Sequence, residues 1–231
     1  MNGSRALILF VLFGTLSLWA QAPNLNPQVP PEQQIPVVKF EFVLPGGNPP
    51  HYALSIEAGG AAAYRSDAEP ATGSTPGVGG EQPYFLKFDI SHITADKIFA
   101  LAKDLNFFQG DFEYHGGRVA NMGAKTLTFK DGQRENSFTY NYSQNPQLQQ
   151  LGSLLQGIAS AVEYRRELEQ LYRYEKLGLE DKLRQMENAV NSGYVADLGI
   201  DAPILRQIVN DHSVMNITRR RAEKLLAKAG K

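Results

Sequence analysis

The sequence predicts an α+β protein: an antiparallel sheet with helices packed on one face, followed by an α-helical C-terminal extension. Three observations carry that expectation. Strand-like segments alternate apolar and polar residues with period two, the pattern of a sheet with one wet face; the strands of a parallel sheet are apolar on both faces. Helical segments between them carry one-sided apolar stripes. Beyond residue 163 a charged run interrupts the pattern, and the apolar spacing that resumes after it is helical. The expected divisions are a signal peptide at 1–22, a Pro/Gln-rich tether at 23–35, an α+β domain at 36–162 and a helical extension at 163–231.

The N-terminus predicts export. Arg5 supplies a thin positive flank, ALILFVLFGTLSLW an apolar run, and Ala20-Gln21-Ala22 a small-x-small cleavage pattern. The expected location is periplasmic or secreted, with no membrane span after signal cleavage because no second apolar run is long enough. The tether, PNLNPQVPPEQQI, holds too few apolar residues to join a core. The 231 residues include no Cys, which excludes disulfides, thiolate catalysis and Cys-ligated metals. The formal net charge is −1 and no long single-sign block occurs, so nothing calls for a nucleic acid or another charged polymer as partner.

The domain elements follow in order. In VVKFEFVL, Val38, Phe40, Phe42 and Leu44 share one face. Pro45 to Pro50 stops that strand. Tyr52, Leu54 and Ile56 line the next, and Gly59-Gly60 turns it into Ala61–Arg65. Residues 66–82 are almost free of apolar side chains and read as a surface insertion or a functional flap. Tyr84, Leu86, Phe88 and Ile90 make another strand face. A helix over 94–106 follows, with Thr94 as N-cap and Asp96 in its first turn; Ile98, Leu101, Ala102 and Leu105 form its stripe. Asp131-Gly132 predicts a two-residue hairpin with Lys130 opposite Gln133, placing Leu127, Phe129, Phe138 and Tyr140 on one face. Asn145-Pro146 opens a helix over 146–162 striped by Leu148, Leu151, Leu155, Ile158 and Val162. Glu163 to Gln170 is expected to be solvated all round. Apolar spacing resumes at Leu168 and Leu171 and later at Leu179, Leu183, Met186 and Val190, Gly178 marks a bend, and two further helices start at cap candidates Asp201 and Ser213.

The sharpest cluster of chemical groups is Asp111, Glu113 and His115. In an extended segment these residues share a face, opposite Phe112 and Tyr114. Two carboxylates and an imidazole suit a divalent metal or general acid–base work; equally, they suit the wet face of a half-buried strand. His51, His92 and His212 stand alone, and no HExxH, GxSxG, phosphate-loop or dinucleotide motif occurs, so no catalytic residue and no cofactor are expected. Arg219-Arg220-Arg221 reads as a nucleic-acid footprint or as a solvated helix face paired with nearby acids.

The run Tyr52-Ala53-Leu54-Ser55-Ile56, the Gly59-Gly60 turn, Tyr64, the helix with Ile98 and Leu101, and the segment from Leu105 to Tyr114 together resemble a family of exported bacterial α+β domains of unknown function. The resemblance runs from Tyr52 to about Ile158 and implies no activity. Leu205, Ile208, Asp211, Ala222, Leu225 and Gly230 resemble a single HEAT-type helical pair, which implies that the pair must pack on a neighbouring helix or a partner. Two functions are expected from different classes. One is a non-enzymatic protein of the cell envelope, with a protein partner or a second copy bound through residues 163–231. The other is a periplasmic hydrolase or metal-dependent enzyme centred on Asp111, Glu113 and His115.

Overall fold

The computed structural model describes residues 34–67 and 83–229. The signal-like segment 1–22, residues 23–33 of the tether, residues 68–82 of the polar loop and Gly230 lie outside the described residues. Six strands build one antiparallel sheet: β1 (Val37–Val43), β2 (His51–Glu57), β3 (Ala61–Ser66), β4 (Tyr84–Asp89), β5 (Ala124–Lys130) and β6 (Glu135–Tyr140). Their order is β4-β3-β2-β1-β5-β6, so the first strand is central and β5 returns to its free side. The helices among the described residues are α1 (His92–Asp104), α2 (Pro146–Tyr174), α3 (Leu179–Asn191), α4 (Ala202–Asn210) and α5 (Asn216–Ala229). The predicted α+β class is the observed one.

The period-two strands bury the expected face. Val38, Phe40, Leu54, Ile56, Tyr64, Leu127 and Phe129 pack with Ala95, Ile98 and Ala102 of α1 and Leu148, Leu151, Leu155 and Ile158 of α2 in one core. Each such large apolar side chain contributes about 1.5–3 kcal/mol on burial. The opposite face carries Lys39, Glu41, Arg65 and Lys87, and hydroxyl pairs Thr126–Thr139 and Thr128–Ser137 at 2.9 and 3.0 Å. Lys125 is the charged residue on the inner face of the described strands. Its ammonium donates to the carbonyls of Met122, Gly123 and Asn141, which ties the ends of β5 and β6 to the 120–123 segment.

Four local expectations need correction. The hairpin pairs Lys130 with Glu135, not with Gln133. Asp131 N–H donates to the Arg134 carbonyl, so the loop residues are Gly132 and Gln133. Only Gly132 has positive φ, at 83°, which is the pattern of a type II′ turn. Pairing moves by two residues, so every side chain stays on its expected face. Secondly, Ser91 rather than Thr94 caps α1: its hydroxyl accepts from Thr94 N–H at 3.2 Å, and Asp96 lies beyond the first turn. Thirdly, residues 109–123 form no strand. Asn106, Phe107 and Phe108 all have positive φ and turn the chain out of line with the sheet. Lastly, Glu163 to Glu169 is half-buried or buried, not solvated all round, because the sheet, α3 and the 195–201 segment all reach this part of α2.

Helix α2 runs 29 residues, about 44 Å at 1.5 Å per residue. Its first part, to Val162, serves the sheet core. From Leu168 it serves a second core with Leu179, Leu183 and Met186 of α3, Ile204, Leu205 and Ile208 of α4, Val214, and Ala222 and Leu225 of α5. The α4–α5 pair thus covers its apolar faces on α2 and α3 within the chain. The segment after α3 returns to the sheet side: Ala196 N–H donates to the Gly157 carbonyl at 3.0 Å, and Asp197 accepts from Ser91 N–H at 2.7 Å. The close approach requires glycine at 157, since a Cβ there would lie 2.9 Å from the Ala196 methyl.

Candidate functional site

The predicted cluster at residues 111–115 divides in space. His115 Nε2 meets Asp111 Oδ2 at 2.9 Å, both well exposed. Glu113 turns the other way, accepting from Asn141 N–H at 2.8 Å and Tyr142 N–H at 3.4 Å. Its carboxylate is a latch that ties the irregular 109–123 segment to the end of β6, helped by the Tyr114 N–H bond to the Tyr142 carbonyl. Among the described residues no group of three His, Cys, Asp or Glu side chains converges to hold a metal ion. The hydrogen bond from His115, followed by that from the Glu113 N–H, holds the Asp111 carboxyl below its ordinary value.

The structure assembles a different imidazole. His51 at the start of β2 has Nδ1 2.6 Å from Asp67 and Nε2 2.8 Å from Glu41. Both ring nitrogens can carry protons shared with carboxylates, so the Asp67 hydrogen bond raises the imidazole above its ordinary value, burial opposes it, and Glu41 adds to the rise. Among the described residues no nucleophilic side chain is hydrogen-bonded to the three. Sequence reasoning missed this cluster because its members lie 10 and 16 residues from His51, on β1 and just past the end of β3. The β1–β2 register, with Val43 opposite His51, was the available signal. His92 begins α1 and His212 sits beside Arg219 Nη1 at 3.4 Å, both exposed.

The arginine triplet of α5 faces three ways. Arg221 donates to Glu180 at 3.0 and 2.9 Å and also to Glu187, bracing α5 against α3. Arg219 lies against His212, and Arg220 is exposed. Expected cap residues are likewise used differently. Ser213 accepts from Lys176 at 2.8 Å, and α5 begins only at Asn216. Asp201 occupies the N-cap position of α4 but makes no cap hydrogen bond, because it closes a 3-10 turn in helical conformation. Its carboxylate is fully buried, and neither oxygen has a partner among the described residues.

At the end of the helical layer remote from Pro146, α2 runs into a 3-10 turn at Lys176–Gly178, opposite the α4–α5 connection. Lys176 joins the two: its ammonium donates to Asp211 at 2.6 Å and to Ser213. Tyr174 and Leu177 flank Lys176 in the chain, and Met215 and Ile217 follow Ser213; their exposures are 76, 78, 44 and 59 %. The helical core behind them is closed, with Leu168, Leu183, Leu205 and Leu225 inaccessible. No helix among the described residues is long and apolar enough to cross a membrane. A scan against protein-family models and a search of curated proteins return no match to the chain.

Proposed function

We propose that the chain is a non-enzymatic, exported protein that works by self-association through its helical extension, at the face around Lys176. Export rests on the sequence of residues 1–22. The single observation that carries the interaction role is the set of four exposed large apolar side chains, Tyr174, Leu177, Met215 and Ile217, on the two segments that one ion pair ties together. The stripe of α3 supplies no such surface, since α4 and α5 already cover it.

A second copy is the occupant that the charges favour. The exposed rim carries both signs, with Arg173 and Arg220 against Glu175 and Glu223. In a two-fold contact a patch meets itself, so a rim of one sign repels and a mixed rim pairs. A stable interface covers about 800 Å² per partner, which makes the four apolar side chains its centre and requires the rim to be covered as well. The test mixes isotope-labelled protein with unlabelled protein carrying a spin label at position 220. The expected result is broadening of amides at 174–177 and 213–219 in the labelled copy. Broadening confined to other surfaces, or none up to millimolar protein, refutes the proposal.

A further inference from the structure

A cleft of about 260 Å³ opens where the sheet meets the helical extension. Tyr52 and Tyr64 from β2 and β3 stand at its floor, stacked with ring centroids 5.7 Å apart. One face of α2 supplies Gln156, Ser160, Glu163, Tyr164 and Glu167 at helical spacing, α3 supplies Lys182, and the 45–50 turn supplies Asn48. The seam is built by long-range contacts that no local pattern announces.

The charges of this cleft are satisfied within the chain. Tyr64 O–H donates to Glu163 Oε1 at 2.5 Å, and Glu163 Oε2 lies 2.8 Å from Arg166 Nε. Glu167 pairs with Lys182, whose ammonium also stands 5.8 Å from the Tyr164 ring centroid. A charged ligand would have to break one of these pairs or be desolvated without compensation, and both are costly. The groups left over are neutral: the Asn48 amide and the Ser160 hydroxyl have no side-chain hydrogen bond among the described residues. Tyr164 is half-exposed beside them.

We infer that this cleft is a binding site for a single neutral, polyhydroxylated ring, a sugar unit without ionic groups. Such a ligand has an apolar C–H face for the half-exposed Tyr164 ring and hydroxyls that both donate and accept. Asn48 and Ser160 match those hydroxyls, since an amide and a hydroxyl also do both. The volume lies just under the range of drug-sized pockets, which suits one ring rather than a chain of them. Tyr64 and Glu163 act as positioning residues: their hydrogen bond fixes the cleft's floor to α2.

The test is an amide-shift titration of the full chain with four single-ring probes: glucose and N-acetylglucosamine, which are neutral, glucosamine, which is cationic, and glucuronate, which is anionic. The neutral probes are expected to give saturable shifts at 48–52 and 156–167 and to bind more tightly than either charged probe. Asn48→Ala and Ser160→Ala, both at accessible positions, are each expected to weaken that binding about 3- to 10-fold, the loss of one hydrogen bond, with unchanged far-UV circular dichroism. Tighter binding of glucosamine or glucuronate, shifts located elsewhere, unchanged affinity in both variants, or no saturable shift with either neutral sugar would each overturn the inference.

Discussion

Replacing Asp201 by Asn should stabilise the protein, by an amount that grows with pH. Asp201 sits between the two cores: Ile200 belongs to the sheet core and Ile204 to the helical one. The nearest compensating cation, Arg165, spends its guanidinium on Glu169 at 2.8 Å and on the Ile200 carbonyl at 3.2 Å. Burial therefore pushes the Asp201 carboxyl well above its ordinary 3.8; Arg165 pulls it down, and Glu169 and Asp197 push it further up. A raised folded value means that the folded state holds the proton more tightly. The contribution to stability is thus complete below about pH 3.8 and is lost as pH rises through the raised value. Between those limits one proton is at stake, which costs about 1.4 kcal/mol per pH unit. At about 2–4 °C per kcal/mol for a chain of this size, the melting temperature of Asp201→Asn should pull ahead of the wild type by about 3–6 °C per pH unit, then run parallel. Taking the difference between the two proteins cancels every other titration. Scanning calorimetry between about pH 4 and 8 measures it. A constant gap across that range, or a variant that melts lower at neutral pH, would refute the reasoning.

Three further outcomes are expected. The His51 imidazole should titrate above its ordinary 6.5 in a ring-nitrogen NMR experiment, and Asp67→Asn should bring it down; the stabilisation from its two carboxylates is complete below 6.5 and fades as pH rises through the raised value, so a midpoint at or below 6.5 contradicts the geometry. Glu113→Ala should cost about 1–3 kcal/mol in urea unfolding, because two backbone donors lose their acceptor, whereas the exposed His115→Ala should stay within about 0.5 kcal/mol. Equal losses would mean that the 111–115 carboxylates and imidazole act together after all. Gly157→Ala should lower stability even though alanine gains about 1 kcal/mol in helix propensity, since its methyl meets Ala196. A net gain in the unfolding midpoint would show that the 195–197 segment yields.

The legible part of this fold was its local part. Strand faces such as Tyr52-Leu54-Ile56 and the Asn145-Pro146 helix start depend on neighbours in sequence, and period and cap chemistry expose them. Two errors were local as well and small in consequence. Ser91 and Thr94 are both good caps three residues apart, and Asp131-Gly132 competes with Gly132-Gln133 for the centre of one turn. The second error left the faces intact because the pairing changed by an even number. The cleft and the His51 cluster were illegible for a different reason. Tyr64 meets Glu163 across 99 residues, and the charge-rich run from Glu163 to Glu169 reads as solvent-exposed until the sheet, α3 and the 195–201 segment close around it. The same closure explains why Asp201, a natural helix cap by type, ends as a buried acid.

Self-association through the face around Lys176 is tested most directly by sedimentation equilibrium of the protein over a concentration series, beside Leu177→Ser. This side chain is 78 % exposed, so the substitution leaves the monomer's core intact. The wild type should show a concentration-dependent rise from monomer to dimer mass, and Leu177→Ser should shift that rise to at least about 10-fold higher concentration, a loss of about 1.4 kcal/mol. A wild type that stays monomeric up to millimolar concentration, or a variant that dimerises as the wild type does, would contradict the proposed role of the helical extension.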